Sequence, residues 1–120
     1  MRPREHYVQQ LEALHTEIRA LGQMAIVSIT RAIDALRRQD SEAARRIRAD
    51  DQRIDQAQAA LEERALTIMA TQQPMAGDLR EIIAAIEIAS ELERIGDYAK
   101  GMAKVTVRGA GQPLDRKSVV

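Results

Sequence analysis

Three long segments of the sequence carry an apolar residue at nearly every third or fourth position, and two short breaks separate them. Such spacing places the apolar residues along one side of an α-helix. The segments run from about Glu5 to Arg38, from about Ser41 to Gln73 and from Asp78 to about Val107. Because the breaks are short, consecutive helices must lie antiparallel. The pattern predicts an all-α fold, an up-down-up antiparallel three-helix bundle with helices of about 45 Å.

The apolar stripes of the three segments are the predicted core. Two positions in the second stripe, Asp51 and Gln58, are polar and interrupt the apolar pattern. The stripes are Leu11, Leu14, Ile18, Leu21, Ala25, Ala32 and Leu36; Ile47, Asp51, Ile54, Gln58, Leu61, Ala65 and Ile68; and Leu79, Ile82, Ile83, Ile86, Ala89, Leu92, Met102 and Ala103.

The two breaks carry signals for helix ends. Asp40 or Ser41 is suited to cap the second helix, since both side chains can accept a hydrogen bond from a backbone N–H group. Pro74 ends the second helix, because the residue before a proline avoids the α-helical conformation. Asp78, which follows a glycine, is predicted to cap the third helix.

A glycine- and proline-containing stretch, RGAGQPL, follows the third segment. Glycine and proline interrupt helices, so the third helix is predicted to end near this stretch. The sequence therefore predicts one bundle over residues 1–107 and a hinge or frayed tail over residues 108–120.

The composition excludes several classes of protein. The formal net charge is zero, which gives no support for binding nucleic acid or an anionic membrane through bulk charge. The absence of cysteine excludes disulfides and thiolate metal sites. The polar N-terminus does not resemble a signal peptide, and no apolar run approaches the roughly 18 residues of a membrane span. We therefore expect a cytoplasmic protein without direct membrane insertion.

Four carboxylates interrupt the apolar pattern on neighbouring helices. Asp51 and Asp55 lie four residues apart on the second segment, and Glu93 and Asp97 lie four residues apart on the third. Counted from the turn near Pro74, the two pairs differ in height by about two residues, or about 3 Å. The four side chains are therefore predicted to form one acidic cluster.

Such a cluster must remain solvated, take up protons or attract cations. Arg53 and Arg94 are adjacent to it in sequence and could supply part of the positive charge. A metal ion is the other solution, and oxygen ligands favour hard cations such as Mg²⁺, Mn²⁺, Ca²⁺ or iron. The predicted metal ligands are Glu93, Asp97, Asp51 and Asp55. Gly96, inside the third helix, indicates a close approach of a neighbouring helix or a ligand.

The run IASELERIGDYAKGMAK, residues 88–104, closely resembles the signature helix of the PhoU family of phosphate-uptake regulators. The match extends upstream through QPMAGDLREIIAAIE, and DDQRIDQAQAALEERAL resembles the second helix of that family. The resemblance covers almost the whole chain up to about Val107.

The resemblance implies a regulatory protein of phosphate uptake that is not an enzyme. Such a protein represses the phosphate-starvation response and acts between the ATPase of the phosphate ABC transporter and a sensor histidine kinase. It also implies that Glu93 and Asp97 match the family's metal-binding motif, with iron, zinc, manganese or magnesium as candidate ions. Asp51 and Asp55 match acidic positions of the second helix. The alternative is a metal-binding or metal-sensing bundle without a phosphate-signalling partner.

The usual family member has two tandem bundles, and this sequence contains one. The resemblance therefore implies either a fragment or a single-repeat member. A second copy of the chain is expected to replace the missing repeat, which makes the protein a homo-oligomer.

Overall fold

The computed structural model describes residues 3–109 and confirms the predicted all-α three-helix bundle. The three helices are α1 (Pro3–Arg38), α2 (Ser41–Gln72) and α3 (Ala76–Arg108). Each helix begins and ends within two residues of the positions that the apolar periodicity predicts. The predicted hinge or tail lies, from residue 110 onward, outside the described residues.

Asp40 forms the N-cap of α2. Its carboxylate accepts a hydrogen bond of 3.1 Å from the backbone N–H of Ala43, which satisfies one of the donors left free at a helix start. The preceding Gln39 has a φ of 56°, so the chain turns through the left-handed region between α1 and α2. Gln73 is the C-cap of α2 and has a φ of 44°, also in the left-handed region.

The predicted capping role of Asp78 is wrong. Helix α3 begins at Ala76, its N-cap is Met75, and no side chain caps it. The backbone N–H of Leu79 already donates to the Met75 carbonyl, so the helix starts two residues before Asp78. Asp78 lies in the first turn and accepts a hydrogen bond of 2.7 Å from the Tyr7 hydroxyl. This bond ties the start of α1 to the start of α3.

The core consists of two parts of different composition. The leucine-rich half contains large aliphatic side chains, with Leu14, Leu21, Leu61, Ile68 and Ile82 fully buried. The alanine-rich half lies toward the α1–α2 turn and consists of Ala32, Ala35, Ala44, Ile47, Ala99 and Ala103. Small side chains let the helices approach closely in this half, but they bury little apolar surface.

The predicted stripes match the core closely on α1 and α2. Every predicted position on these two helices is buried or half-buried, including Asp51 and Gln58. On α3, Ile83 is an exception because its side chain is 42% exposed. Ile82 takes the inward position, and its neighbour is rotated by about 100° away from the core.

Helices α1 and α3 lie side by side and parallel. Tyr7 contacts Asp78, and a methyl group at Gly22 would lie 3.8 Å from Leu92. Both helices rise by about 1.5 Å per residue, so the offset between them stays constant along the bundle axis. Each residue of α1 therefore lies at about the same height as the residue roughly 70 positions later on α3. None of the helices within residues 3–109 is long and apolar enough to cross a membrane.

Candidate functional site

The acidic face of the bundle lies where α2 meets α3, and we define it by Asp51, Asp55, Glu93 and Asp97. Asp51 is buried, with 5% of the residue exposed. Glu93 is half-buried, whereas Asp55 and Asp97 are exposed. Spacing of four residues on each helix keeps both members of a pair on one side. The charges of Asp51 and Asp97 act on Asp55, and those of all three aspartates act on Glu93, so the two predicted pairs lie within electrostatic range of each other.

Lys100 supplies the positive charge of this face. Its Nζ atom lies 3.4 Å from Oδ2 of Asp51, whose side chain is only 7% exposed. Lys100 follows Glu93 by seven residues, or two turns, which places both on the same side of α3. Sequence reasoning missed this lysine, although that spacing was a usable signal.

The pKa of Asp55 is raised above its usual value. Partial burial is the largest cause, followed by the negative charges of Asp51 and Asp97, while the Lys100 ammonium acts in the opposite direction. The like charges act across the α2–α3 seam, so the two predicted pairs share one electrostatic environment.

The pKa of Glu93 is also raised, again with burial as the largest cause. The negative charges of Asp97, Asp55 and Asp51 contribute in that order. A fifth carboxylate, that of Glu62 on α2, adds to this effect. One lysine thus faces a cluster in which every further acid raises the cost of ionising the others.

The two arginines that could have supplied part of the positive charge make other contacts. Arg94 pairs with Glu91 at 3.6 Å on the surface of α3. Arg53 lines a cavity of about 120 Å³ between α1 and α2, together with Ser28 and Asp50. Arg94 is one residue from Glu93 and Arg53 is two residues from Asp51 and Asp55, and each residue along a helix rotates the side chain by about a further 100°.

Gly96 marks a close approach of α2 to α3. A methyl group at this position would lie 3.5 Å from two carbons of Ile54 and 3.6 Å from Oδ1 of Asp51. Gly96 is buried. These distances are ordinary contacts, so α2 lies directly against Gly96 but leaves room for a methyl group there.

The carboxylate oxygens of the acidic face suit a hard cation by their chemistry. However, within residues 3–109 no three Asp, Glu or His side chains converge closely enough to hold a metal ion. Lys100 also occupies the position nearest the buried carboxylate. The face thus provides donor atoms but not a formed coordination sphere.

A sequence model of the PhoU domain family matches residues 18–106, which include more than half of α1, all of α2 and nearly all of α3. The chain belongs to the PhoU family. The matched region contains both acidic pairs and Lys100, so the acidic face lies within the family's domain and not in an added segment.

Individual relatives agree with this membership. A phosphate-specific transport system accessory protein PhoU homolog of Rhizobium meliloti (strain 1021) is 37% identical over 109 residues, covering 91% of this chain and 46% of the relative. A homolog of the same description from Xylella fastidiosa (strain Temecula1) is 39% identical, covering 84% and 42%. The corresponding accessory protein PhoU of Edwardsiella tarda is 35% identical, covering 86% and 42%. This PhoU-family chain therefore spans less than half the length of these relatives.

Proposed function

We propose that this PhoU-family chain is a regulatory accessory protein of phosphate uptake that represses the phosphate-starvation response. The observation that carries the proposal is the family match over residues 18–106, together with relatives named as accessory proteins of a phosphate-specific transport system. The proposed role is non-enzymatic and cytoplasmic. The proposed partners are the ATPase of the phosphate ABC transporter and a sensor histidine kinase, and self-association is part of the proposal.

The acidic face is the part of the surface that we assign to partner binding. Asp55 and Asp97 are exposed there, and the pKa of Glu93 is raised by burial first and then by the neighbouring negative charges. A basic surface on a partner would relieve that repulsion, which favours association through complementary charge. The expected partner surface is therefore rich in lysine and arginine.

A pull-down of the transporter ATPase and the sensor kinase tests this function. We expect the wild-type chain to retain at least one of them and Glu93→Ala/Asp97→Ala to retain much less. The matched control is Glu12→Ala/Glu63→Ala, which removes two exposed acids outside the acidic face. If neither partner is retained by the wild type, or if both variants bind equally, the proposed role of the face is wrong.

A metal-binding or metal-sensing bundle is the second candidate function. The clustering of four carboxylates favours it, and iron, manganese, magnesium or zinc are the proposed ions. Binding would require the side chains of Asp55, Glu93 and Asp97 to move closer together than they are. The ion would neutralise the negative charge that Lys100 leaves unbalanced.

Metal analysis separates the two candidates. We expect Mn²⁺ binding to be lost in Glu93→Ala/Asp97→Ala and kept in Glu12→Ala/Glu63→Ala. Lys100→Met removes the competing ammonium and should strengthen binding. Full metal content in the Glu93→Ala/Asp97→Ala variant would remove the metal role from these residues.

A further inference from the structure

An apolar strip runs along the α1–α3 side of the bundle, away from the acidic face. On α3 it follows one side of the helix in steps of three, four and seven residues. Ile88, Tyr98 and Val105 are 49%, 63% and 48% exposed, and the half-buried Ile95 and Met102 lie between them. On α1, Ile26 and Ile33 are 59% and 44% exposed and lie seven residues apart. The strip consists of these seven residues.

The two rows of the strip are adjacent. Ile29 of α1 and Met102 of α3 pack against the same alanine-rich core cluster, which fixes these two helices side by side at this height. The parallel register places Ile26 and Ile33 at about the heights of positions 96 and 103 on α3. The exposed isoleucines of α1 therefore lie beside Tyr98 and Val105.

The strip lies largely over the half of the molecule that has the smallest core side chains. Inside that half are Ala32, Ala99 and Ala103, all fully buried, while isoleucine, tyrosine and valine lie outside. A monomer in this arrangement leaves its larger apolar side chains in water. Exposed apolar surface that is contiguous in this way marks an interaction site.

The charges at the two ends of the strip are complementary. Glu87 flanks the end at Ile88, and Arg37 and Arg108 flank the end at Val105; all three are exposed. A two-fold axis midway along the strip places Glu87 and Arg108 of opposite copies within about 3 Å of the same height. An antiparallel arrangement therefore pairs each acidic end with a basic end, whereas a parallel one opposes like charges.

We infer that a second copy of this chain covers the strip in an antiparallel, two-fold pair. The inference depends on the self-association proposed above but not on the regulatory role. Tyr98 lies near the axis and packs against the same strip of the second copy. Ile88 of one copy lies opposite Val105 of the other. The acidic face stays accessible in the pair, because it lies on the α2–α3 side.

Light scattering combined with size-exclusion chromatography at micromolar concentration tests the pair. We expect the wild type to be a dimer and Tyr98→Glu or Ile33→Glu to weaken it by at least about tenfold. The matched control is Leu66→Glu, since Leu66 is 60% exposed on α2 and lies outside the strip. Circular dichroism should show equal helix content in all variants, because each altered side chain is exposed.

Two results would overturn the inference in different ways. A monomeric wild type would contradict self-association itself. A dimer that resists Tyr98→Glu, or that Leu66→Glu weakens equally, would show that copies pair through another face. Retention of the transporter ATPase or the sensor kinase is measured separately, so neither result decides the regulatory role.

Cysteine cross-linking tests the antiparallel geometry, and the chain contains no cysteine of its own. Tyr98→Cys should cross-link to itself, since this position lies near the axis. Val105→Cys should cross-link to Ile88→Cys and not to itself, because these two positions lie about 25 Å apart on one helix. Efficient self-cross-linking of Val105→Cys would establish a parallel pair and overturn the geometry.

Discussion

Asp51 is the residue on which the electrostatics of the acidic face depends. Its carboxylate is removed from water and lies next to a single ammonium, that of Lys100, whose side chain is 41% exposed. A buried charge without a counter-charge is costly, whereas an exposed charge can be solvated after its partner is removed. The two residues of this pair therefore respond differently to substitution.

Replacing Lys100 by methionine should destabilise the fold by about 1–3 kcal/mol, because Asp51 then stays buried without its counter-charge. Asp51→Asn in the same background should recover part of the loss. Urea denaturation measures both values. Lys104→Met is the control, since Lys104 is an exposed lysine one turn further on, and should change stability by no more than about 0.5 kcal/mol. Equal effects of the two lysine variants would contradict the role given to Lys100.

The raised pKa values of Glu93 and Asp55 predict how stability depends on pH. Both groups bind protons more tightly in the folded state than in the unfolded state. Stability contributed by these groups is therefore fully present below the ordinary carboxylate pKa and is lost as pH rises through the folded-state pKa values. Asp55 is exposed and Glu93 only half-buried, and this access to water keeps the effect to a few tenths of a kcal/mol.

Glu93→Gln removes one of these groups, so it should stabilise the protein at neutral pH and flatten this part of the pH profile. Urea denaturation at several pH values between about 5 and 8 measures the slope. Glu12→Gln provides an exposed control far from the acidic face. A wild-type slope of the opposite sign would contradict the shared electrostatic environment of the four acids.

At the scale of the element, two of the three glycines of α3, Gly96 and Gly101, lie inside the helix in different surroundings. Gly96 is packed against Ile54, whereas a methyl group at Gly101 would have no atom within 4 Å. Glycine inside a helix costs roughly 0.5–1 kcal/mol relative to alanine. Replacing a glycine by alanine therefore gives the full gain in stability where the added methyl group meets no other atom, as at Gly101.

Gly101→Ala should therefore stabilise the protein by about 0.5–1 kcal/mol. Gly96→Ala should stabilise it by no more than that, since contacts at 3.5 Å are ordinary ones that need no displacement of Ile54. Gly96→Leu should destabilise it, because the additional atoms would collide with α2. Thermal denaturation gives the order of the variants, and a destabilising Gly96→Ala would indicate tighter packing of α2 than the structure has.

The helices themselves could be predicted from sequence because apolar periodicity is a local property. The common height of the two acidic pairs also followed from counting, since each residue of a helix adds the same rise. The direction in which some side chains point around the helix axis was predicted incorrectly. Ile83 was expected inside beside Ile82, and Arg94 was expected beside Glu93, yet both point elsewhere. The pairing of Lys100 with Asp51 depends on the rotation of two helices at once, which a single sequence does not give.

At the scale of the whole molecule, the two halves of the core differ in how much apolar surface they bury. Leucine and isoleucine fill the half near the α2–α3 turn, and alanine fills most of the other. Local opening requires less free energy where fewer apolar contacts are lost. The strip adds apolar surface outside the alanine-rich half, so pairing would compensate for its small core.

Hydrogen exchange should show this difference. Amides of residues 29–36 and 99–107 should exchange faster than those of residues 14–21 and 82–89, because only the latter surround large buried side chains. Measurement in the Tyr98→Glu variant removes any protection due to pairing. In the wild type at a concentration that favours the dimer, residues 99–107 should become slower. Uniform exchange along α3 in the variant would contradict the division of the core.

The up-down-up order of the three helices within residues 3–109 has a consequence for covalent linkage. Because α1 runs up, α2 down and α3 up, Pro3 and Gly109 lie at opposite ends of the bundle. Two copies in opposite orientation bring Gly109 of one copy to the same end as Pro3 of the other. A short peptide joining those residues would therefore produce a single-chain tandem without disturbing either bundle. The length of such a tandem would approach that of the relatives, of which this chain covers less than half.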